Sequence, residues 1–461
     1  MAIELSVDDR RKIIAENSWA EQAVRGNKTW QVFNRGHGVY LQDEKGKEYI
    51  DAVSGQYCAM LGHGNKRVIK AIEEQLEAVQ FPEQLRSDAP LRLMQRIAEL
   101  TPGDLKRVFL GVTGSDTVEA AMSLARSFFR KQGKSNSMII GRWHSYHGHA
   151  AGAVGLTHTE KHLQGRDMAT TDHGIYHMPA PYCYRCWFEK EYPSCGILCA
   201  RALENVIQSM GPENVVAFIG EPIFGAGGGI EPPVEYWPMI RDICNKYGIL
   251  LILDEVITGW GKTGKLFACN HWDVVPDIMC CAKGISSAYL PMSATICAEH
   301  VYKALDGEWP YYGHTHTYYP AGAAAAVATI DVIMEDKLWE NAAKVGAHLK
   351  HRLQEICQKS AIVGTVHGMG LLLGAELVED KASKTPWARG AEMVKLNSRD
   401  KGALVFARGF NRNIVEISPP LIMNMAEADK LCDILAEAIK EVESTKGLGR
   451  RAGRTRPFGK R

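Results

Sequence analysis

The sequence predicts an α/β protein with a large domain, whose mostly parallel sheet is flanked by helices, and a smaller α+β domain built from both chain ends. Short apolar strands such as VVAFIGEP (215–222) and ILLILDE (249–255) alternate with amphipathic helical stretches. Strands with near-continuous apolar character are buried on both faces, as in parallel sheets covered by helices. The alternation fades after residue 336, where a long helix, strands and a closing helix follow.

The individual elements follow in order along the chain. Residues 38–55 alternate apolar and polar side chains around Glu44-Lys45-Gly46, which predicts a β-hairpin. Residues 66–79 have the apolar spacing of an amphipathic helix. From about residue 105, the stretches RVFLGV, SMIIG, VVAFIGEP and ILLILDE predict strands, and DTVEAAMSLARSFFRKQG and YWPMIRDICNKYG predict helices.

This order predicts four parts of the chain. They are residues 1–65 as the N-terminal segment of the small domain, 66–330 as the large domain, 331–445 as the C-terminal part of the small domain, and 446–461 as a basic tail. The tail carries Lys and Arg side chains without an acid, although the net charge of the whole chain is only +1. We expect a solvated, disordered terminus; contact with nucleic acid or an anionic membrane is the alternative.

Composition predicts a cytoplasmic protein without a nucleic-acid or membrane partner. Hydrophobic residues make up 46% and charged residues 23% of the 461 residues, as in globular proteins with large cores. No apolar run approaches the roughly 20 residues that span a bilayer, and the start, MAIELSVDDRRK, places acids where a signal peptide has its apolar core. The 12 cysteines lie mostly singly in apolar segments, which is typical of reduced thiols.

Charged and glycine-rich residues follow the predicted strands. Asp254 comes directly after five aliphatic residues, and in open α/β sheets ligands bind beyond such strand ends. In GVTGSDTVEAAMSLAR, Gly111 and Gly114 precede a predicted helix. The free N–H groups at its start, Ser115 or Asp116, together with the helix dipole, favour a phosphate; a plain capped helix is the alternative.

Two other loops add candidate residues. In GRWHSYHGHAAG, Tyr146 can stack on a flat ligand. The three histidines of this loop are not joined by a carboxylate at ligand spacing, so we predict no metal there. Glu221 ends a strand and precedes glycines that let the backbone turn tightly, but neither a P-loop nor a G-x-G-x-x-G fingerprint is present.

Lys283 completes this set of residues. It follows the apolar run IMCCA and precedes Gly284, so partial desolvation favours a nucleophilic amine; an exposed strand-end lysine is the alternative. One ligand, pyridoxal 5'-phosphate, requires all of these features: a phosphate-binding helix start, a stacking aromatic, a strand-end carboxylate and such a lysine. The lysine forms its Schiff base, and Asp254 holds a proton on its pyridine nitrogen.

With these motifs the chain resembles the class III aminotransferases, the ω-aminotransferase group of fold type I pyridoxal-phosphate enzymes. The resemblance runs from about Trp30 to Glu443 and is carried by the order and spacing of GSDTVEAAMSLAR, YHG, EPIFGAGGG, DEVITGWGKTG, PDIMCCAKG and EISPPLIM. It implies that residues 66–330 bind the cofactor. It also implies a homodimer or homotetramer with shared active sites.

The resemblance gives each matching position a role. Lys283 is implied as the Schiff-base lysine and the base of the proton shift, and Asp254 as the partner of the pyridine nitrogen. The other implied cofactor contacts are Val256 under the ring, Tyr146 on its opposite face, Gly114, Ser115 and the N–H of Asp116 at the phosphate, Glu221 near the cofactor, and Thr317 reaching the phosphate from the other subunit.

Substrate residues and departures from the family pattern are also read from the resemblance. Tyr57, with Cys58, falls in a stretch that contributes to the substrate pocket, and ordinary core packing is the alternative. Arg408 matches approximately the mobile arginine that binds the acceptor carboxylate, with Arg412 as the other choice. Lys262 stands where the family usually has Arg, and TGSDTV and YPAG replace the usual sequences before the phosphate helix and after Thr317.

The expected reaction is a ping-pong transfer of an amino group from a small ω-amino donor to a 2-oxo acid, with pyruvate as the expected acceptor. The donor is an ω-amino acid such as taurine, β-alanine or γ-aminobutyrate, or a diamine. An aminomutase on the same fold, which needs no oxo-acid acceptor, is one alternative. A second is an accessory zinc site of four cysteines, whose spacing also fits plain thiols: Cys183, Cys186, Cys195 and Cys199.

Overall fold

The fold is that of a computed structural model, whose described residues are 5–18, 31–134, 138–159, 174–305, 307 and 312–449. The described strands are β1 Phe33–His37, β2 Tyr40–Asp43, β3 Glu48–Asp51, β4 Leu105–Gly111, β5 Met138–Arg142, β6 Ile175–Met178, β7 Val215–Gly220, β8 Leu250–Asp254, β9 Ile278–Cys281, β10 Ser293–Ala298, β11 Val363–Met369, β12 Leu372–Asp380, β13 Thr385–Pro386, β14 Ala403–Leu404, β15 Phe406–Arg408 and β16 Ile414–Ile417.

The described α-helices are α1 Val7–Asn17, α2 Lys66–Ala78, α3 Asp88–Leu100, α4 Gly114–Lys131, α5 Ala151–Leu156, α6 Leu198–Met210, α7 Tyr236–Tyr247, α8 Glu299–Ala304, α9 Pro320–Glu335, α10 Leu338–Lys359, α11 Ala388–Asp400 and α12 Met425–Gly449. A single irregular turn of helix covers Ser54–Tyr57. Short 3₁₀-helices cover Cys183–Arg185, Pro212–Asn214, Ala268–His271 and Lys283–Ser286.

A seven-stranded sheet forms the centre of the molecule, in the order β4-β10-β9-β8-β7-β5-β6. Strand β10 is antiparallel to both of its neighbours, and the remaining strands run parallel to one another. Every residue of β7, β8 and β9 is buried, as the continuous apolar runs predict. The predicted mostly parallel sheet flanked by helices is confirmed.

Both chain ends contribute to two smaller sheets. Strands β1, β2 and β3 form an antiparallel meander, and β14 joins β3 in parallel with Ala403 opposite Ile50. The predicted hairpin is present, with β2 and β3 joined around Gly46. The second sheet has the order β11-β12-β16-β15, with β13 added to β12. Residues near the two ends of the chain therefore share one sheet.

The helices follow the predicted amphipathic stretches and cover the central sheet. Helix α9 packs on α2, on α3 and on the 3₁₀-helix that begins at Lys283, and α10 packs on β11 and α12. Among the described residues no helix has both the length and the apolar character needed to cross a membrane. The predicted basic tail lies outside the described residues, apart from its first four, which continue α12.

A close contact of α10 gives a stability test of this packing. A Cβ atom added at Gly346 would lie 2.1 Å from the carbonyl oxygen of Gly370, in the turn between β11 and β12. Because this neighbour is backbone, we expect Gly346→Ala to lower the free energy of unfolding by about 2 kcal/mol or more. The matched control is Gly313→Ala, whose added Cβ meets no atom within 4 Å. Equal stability of the two variants in urea unfolding would contradict the described contact.

Candidate active site

The carboxyl ends of the parallel strands converge on a cavity of about 430 Å³. Because these strands run in the same direction, the residues that follow β4, β5, β7, β8 and β9 meet at one edge of the sheet. Most of the predicted cofactor residues line this cavity, namely Gly114, Ser115, Tyr146, Glu221, Asp254, Val256 and Lys283. The structure thus brings together residues that are up to 169 positions apart, from Gly114 to Lys283.

Lys283 begins the 3₁₀-helix that follows β9 and has a positive φ of 42°. Such backbone strain in a non-glycine residue is typical of functional sites. Burial lowers the pKa of the Lys283 amine from its ordinary value, while the nearby Cys58 and Asp254 act in the opposite direction. The free-amine form that a nucleophile or a proton carrier needs is therefore easier to reach.

Asp254 is held by a partner that the sequence analysis did not identify. Its Oδ2 lies 2.7 Å from Nδ1 of His147, and its Oδ1 accepts the backbone N–H of Val256 at 3.0 Å. Both side chains are buried, so the pair is shielded from water. His147 fixes the carboxylate at the strand end, and its Nε2 has no partner in the described structure. The sequence signal that could have identified His147 is its position directly after Tyr146 in the YHG motif.

The predicted phosphate seat is the start of α4. Helix α4 begins at Gly114, and the side chain of Thr113 caps it by accepting the N–H of Asp116. The first N–H groups of a helix have no partner within it, and the helix dipole favours an anion there. A Cβ atom at Gly114 would lie 3.1 Å from Cγ1 of Val256, so glycine lets the helix start approach that side chain closely.

Tyr146 and Glu221 form one side of the cavity. The N–H of Tyr146 donates to Oε1 of Glu221 at 3.1 Å, and the N–H of Gly225 donates to Oε2 at 2.9 Å. Burial raises the pKa of Glu221, and the neighbouring His147 opposes this shift. The Tyr146 hydroxyl pairs with Nδ1 of His149 at 2.9 Å. Glu221 therefore ties the loop after β5 to the loop after β7.

Two predicted phosphate contacts are not brought into this cavity. Asp116 uses its N–H for the Thr113 cap, and its carboxylate accepts hydrogen bonds from the N–H groups of Val112 and Thr113. Thr317 lies outside the lining and accepts a hydrogen bond from the side chain of Gln84 at 2.6 Å. The N–H of Asp116 is therefore engaged by the helix cap. Thr317 was expected to act from another subunit, so its place outside this cavity is compatible with that expectation.

A second cavity of about 440 Å³ adjoins the first, and Tyr146, Ile257 and Lys283 line both. The predicted substrate residues Tyr57 and Arg408 line it. Arg412, which the sequence left as the other choice for the carboxylate-binding arginine, lines it as well. Tyr57 is buried, as the core-packing alternative expects, and it also forms part of the wall of this cavity. We name this space the outer cavity.

Behind Tyr57 lies a buried polar group that the sequence analysis missed. The Tyr57 hydroxyl donates to Oε2 of Glu416 at 2.8 Å, and Tyr57 has a positive φ of 65°. Burial raises the pKa of Glu416 to about 8. Lys262, at the position where the family usually has Arg, donates to the carbonyl oxygen of Pro419 at 2.9 Å, and burial lowers its pKa to about 7. Neither Glu416 nor Lys262 lines the outer cavity; Glu416 lies behind Tyr57, which does.

The four cysteines of the zinc alternative are not arranged as metal ligands in the described structure. Their thiols line one small cavity, and burial raises the pKa of Cys183 to about 11 and that of Cys199 to about 12. Within the part of the chain that the structure describes, no three His, Cys, Asp or Glu side chains are arranged to hold a metal ion. The zinc alternative therefore has no support in the structure.

The residues at the first cavity fit pyridoxal phosphate. A helix start for the phosphate, a buried carboxylate for the ring nitrogen and a lysine of lowered pKa lie around one space. The same residues do not match a metal site or a nucleotide-binding loop.

The His147–Asp254 pair gives a binding test. In His147→Ala the buried carboxylate keeps only the Val256 N–H, so we expect cofactor affinity to fall about tenfold or more, because a hydrogen bond to a charged group contributes roughly 1.5–3 kcal/mol. Equilibrium dialysis against pyridoxal phosphate measures this change. His147→Gln, which keeps a donor, is expected to recover part of the loss. The exposed His351→Ala serves as the control, and unchanged affinity in His147→Ala would refute the role.

Comparison with known proteins agrees with this site. The family model described as aminotransferase class-III matches residues 22–439. The chain is 32% identical over 420 residues to the putrescine–pyruvate aminotransferase of Pseudomonas aeruginosa, which covers 89% of this chain and 91% of that protein. It is 31% identical over 459 residues to the taurine–pyruvate aminotransferase of Bilophila wadsworthia, which covers 95% and 99%.

A solved structure shares the fold. The ω-transaminase of Pseudomonas jessenii in complex with PMP superimposes with a TM-score of 0.90 at 30% identity, covering 96% of this chain and all of that one. The family match spans most of the chain, and it agrees with the converging strand ends, the helix start and the lysine described above. The chain belongs to the class III aminotransferases.

Proposed function

We propose that this aminotransferase moves an amino group from a small ω-amino donor to a 2-oxo acid, with pyruvate as the acceptor, by a ping-pong mechanism. The observation that carries the proposal is the junction of the two cavities at Lys283, because the cofactor seat and the outer cavity meet at one amine. The outer cavity also holds arginines suited to a carboxylate. Donors of the proposed class are taurine, β-alanine, γ-aminobutyrate and diamines.

Each residue of the site has a defined task in this proposal. When bound, pyridoxal phosphate supplies an electron sink for the electrons left when the donor carbon loses a proton. Lys283 holds the cofactor covalently and then carries that proton at Nζ. Asp254, held by His147, keeps a proton on the ring nitrogen, and the start of α4 binds the phosphate. Arg408 binds the carboxylate of the oxo acid.

The proposed acceptor distinguishes transamination from an aminomutase on the same fold. In a ping-pong transfer, the donor leaves its nitrogen on the enzyme, so continued turnover requires an oxo acid. A panel of amines with and without pyruvate or 2-oxoglutarate measures this requirement. Turnover of an amine to its isomer without any oxo acid would establish the aminomutase instead.

Loss of the lysine gives the direct test of the chemistry. In Lys283→Ala we expect turnover to fall by about 10⁴-fold or more, because both the covalent attachment and the proton carrier are removed. After borohydride reduction, mass spectrometry is expected to find the cofactor on the peptide that contains Lys283 in the natural chain and in the exposed control Lys344→Ala. Cofactor attached to a different lysine, or full turnover by Lys283→Ala, would disprove the assignment.

We also propose that the enzyme is at least a homodimer in which the partner subunit's Thr317 reaches the phosphate. The supporting observation is that Thr317 lies outside the lining of the cavity in its own chain. In the proposed dimer, the contact of Thr317 with that phosphate comes from the second copy.

Mixing two inactive chains tests the shared site. Lys283→Ala and Thr317→Asp, which places a negative charge at the phosphate, are each expected to be inactive alone. A heterodimer of the two contains one intact site if Thr317 acts across the interface, so we expect about half of the natural activity per heterodimer. Differently tagged chains allow its purification. An inactive heterodimer, with circular dichroism showing that both chains are folded, would contradict the shared site.

A further inference from the structure

Two arginines and no described acid line the outer cavity. Lys283, Arg408 and Arg412 line it together with neutral and aromatic residues, and no Asp or Glu of the described residues does. Neither Arg408 nor Arg412 forms a salt bridge in the described part of the chain. The guanidinium of Arg408 lies over the ring of Phe406, 4.3 Å from its centroid. Positive charges that no carboxylate neutralises attract an anionic ligand and repel a cationic one.

The position of Arg412 is fixed by an anchored loop. Residues 409–413 connect β15 to β16, and the ring of Phe410 in this loop stacks on His144 with centroids 4.3 Å apart. Edge contacts to Tyr182 and Phe224, at 5.2 and 5.6 Å, hold the same ring. The N–H of Arg412 donates to the carbonyl oxygen of Gly409 at 3.0 Å. Arg412 is exposed and lines the outer cavity, so it stands where this cavity opens to solvent.

The acid that Tyr57 contacts behind the cavity wall does not line the outer cavity. Glu416 is completely buried and accepts the hydroxyl of Tyr57, whose ring separates it from the cavity. Burial raises the pKa of this carboxyl to about 8, which disfavours its anionic form. The acids that line the first cavity, Asp254 and Glu221, are already bonded to His147, Tyr146 and Gly225. A second ammonium on a diamine therefore finds no described carboxylate.

We propose that Arg412 is an outer anion contact beside Arg408, and that the enzyme selects donors with a carboxylate or sulfonate at the end remote from the amine over diamines. This inference rests on the proposed function and narrows its donor class. The two guanidinium groups recognise the remote acid, and the same charges leave a remote ammonium unpaired, so attraction and repulsion both contribute to the choice.

Three donors of matched length separate charge from size: β-alanine, 1,3-diaminopropane and propylamine, each with pyruvate. For the natural chain we expect kcat/KM for β-alanine to exceed that for 1,3-diaminopropane by about tenfold or more. In Arg412→Gln we expect kcat/KM for β-alanine to fall about tenfold through KM and that for propylamine to stay within about twofold, because only the charged end loses a contact. Arg412→Lys is expected to keep most of the preference.

An exposed arginine outside the outer cavity provides the control for this experiment. The exposed Arg389→Gln on α11 is expected to leave all three values unchanged, and added salt is expected to lower the β-alanine value selectively through screening. A natural chain that prefers 1,3-diaminopropane, or an Arg412→Gln variant that changes all three donors equally, would overturn this inference while leaving the transaminase in place. Absence of turnover with every donor and oxo acid would overturn the proposed function and this inference together.

Discussion

The buried hydrogen bond between His147 and Asp254 is the interaction around which the site is arranged. Asp254 ends a strand whose residues are all buried, and a carboxylate at such a place is costly unless it is paired. His147 supplies the partner from the loop that follows β5, and its Nδ1 lies 2.7 Å from Oδ2 of Asp254. This pairing holds the carboxylate at the wall of the cavity, where we propose that it faces the ring nitrogen of the cofactor.

The other side chains of the site depend on the same sheet edge. Glu221 joins the loops after β5 and β7 through two backbone N–H groups, so that Tyr146 and the glycines after Glu221 are held together. Helix α4 begins beside Val256 because Gly114 has no side chain to keep them apart. The residues predicted to bind the cofactor are therefore positioned largely by backbone contacts at strand ends, which leaves the loops of the outer cavity free to differ in chemistry.

The outer cavity contains the residues that we propose set the donor preference of this chain. Tyr57 has a positive φ and bonds to Glu416, and Lys262 occupies the buried position where the family usually has Arg. Arg412 is carried on a loop fixed by Phe410. Family membership accounts for the transfer of an amino group, whereas the proposed preference for acid-ended donors comes from the charges of this wall and loop.

The sequence by itself determined the α/β architecture, the residues at the strand ends and the cofactor, because hydrophobic runs and the glycines, acids and lysine that follow them are local patterns. It could not decide which side chain pairs with Asp254, that Asp116 spends its N–H on a helix cap, or that Tyr57 bonds to Glu416. It also left open which of Arg408 and Arg412 binds the acceptor carboxylate, and both line the outer cavity. These questions join residues as many as 359 positions apart, so only the tertiary structure, which brings them within bonding distance, could answer them.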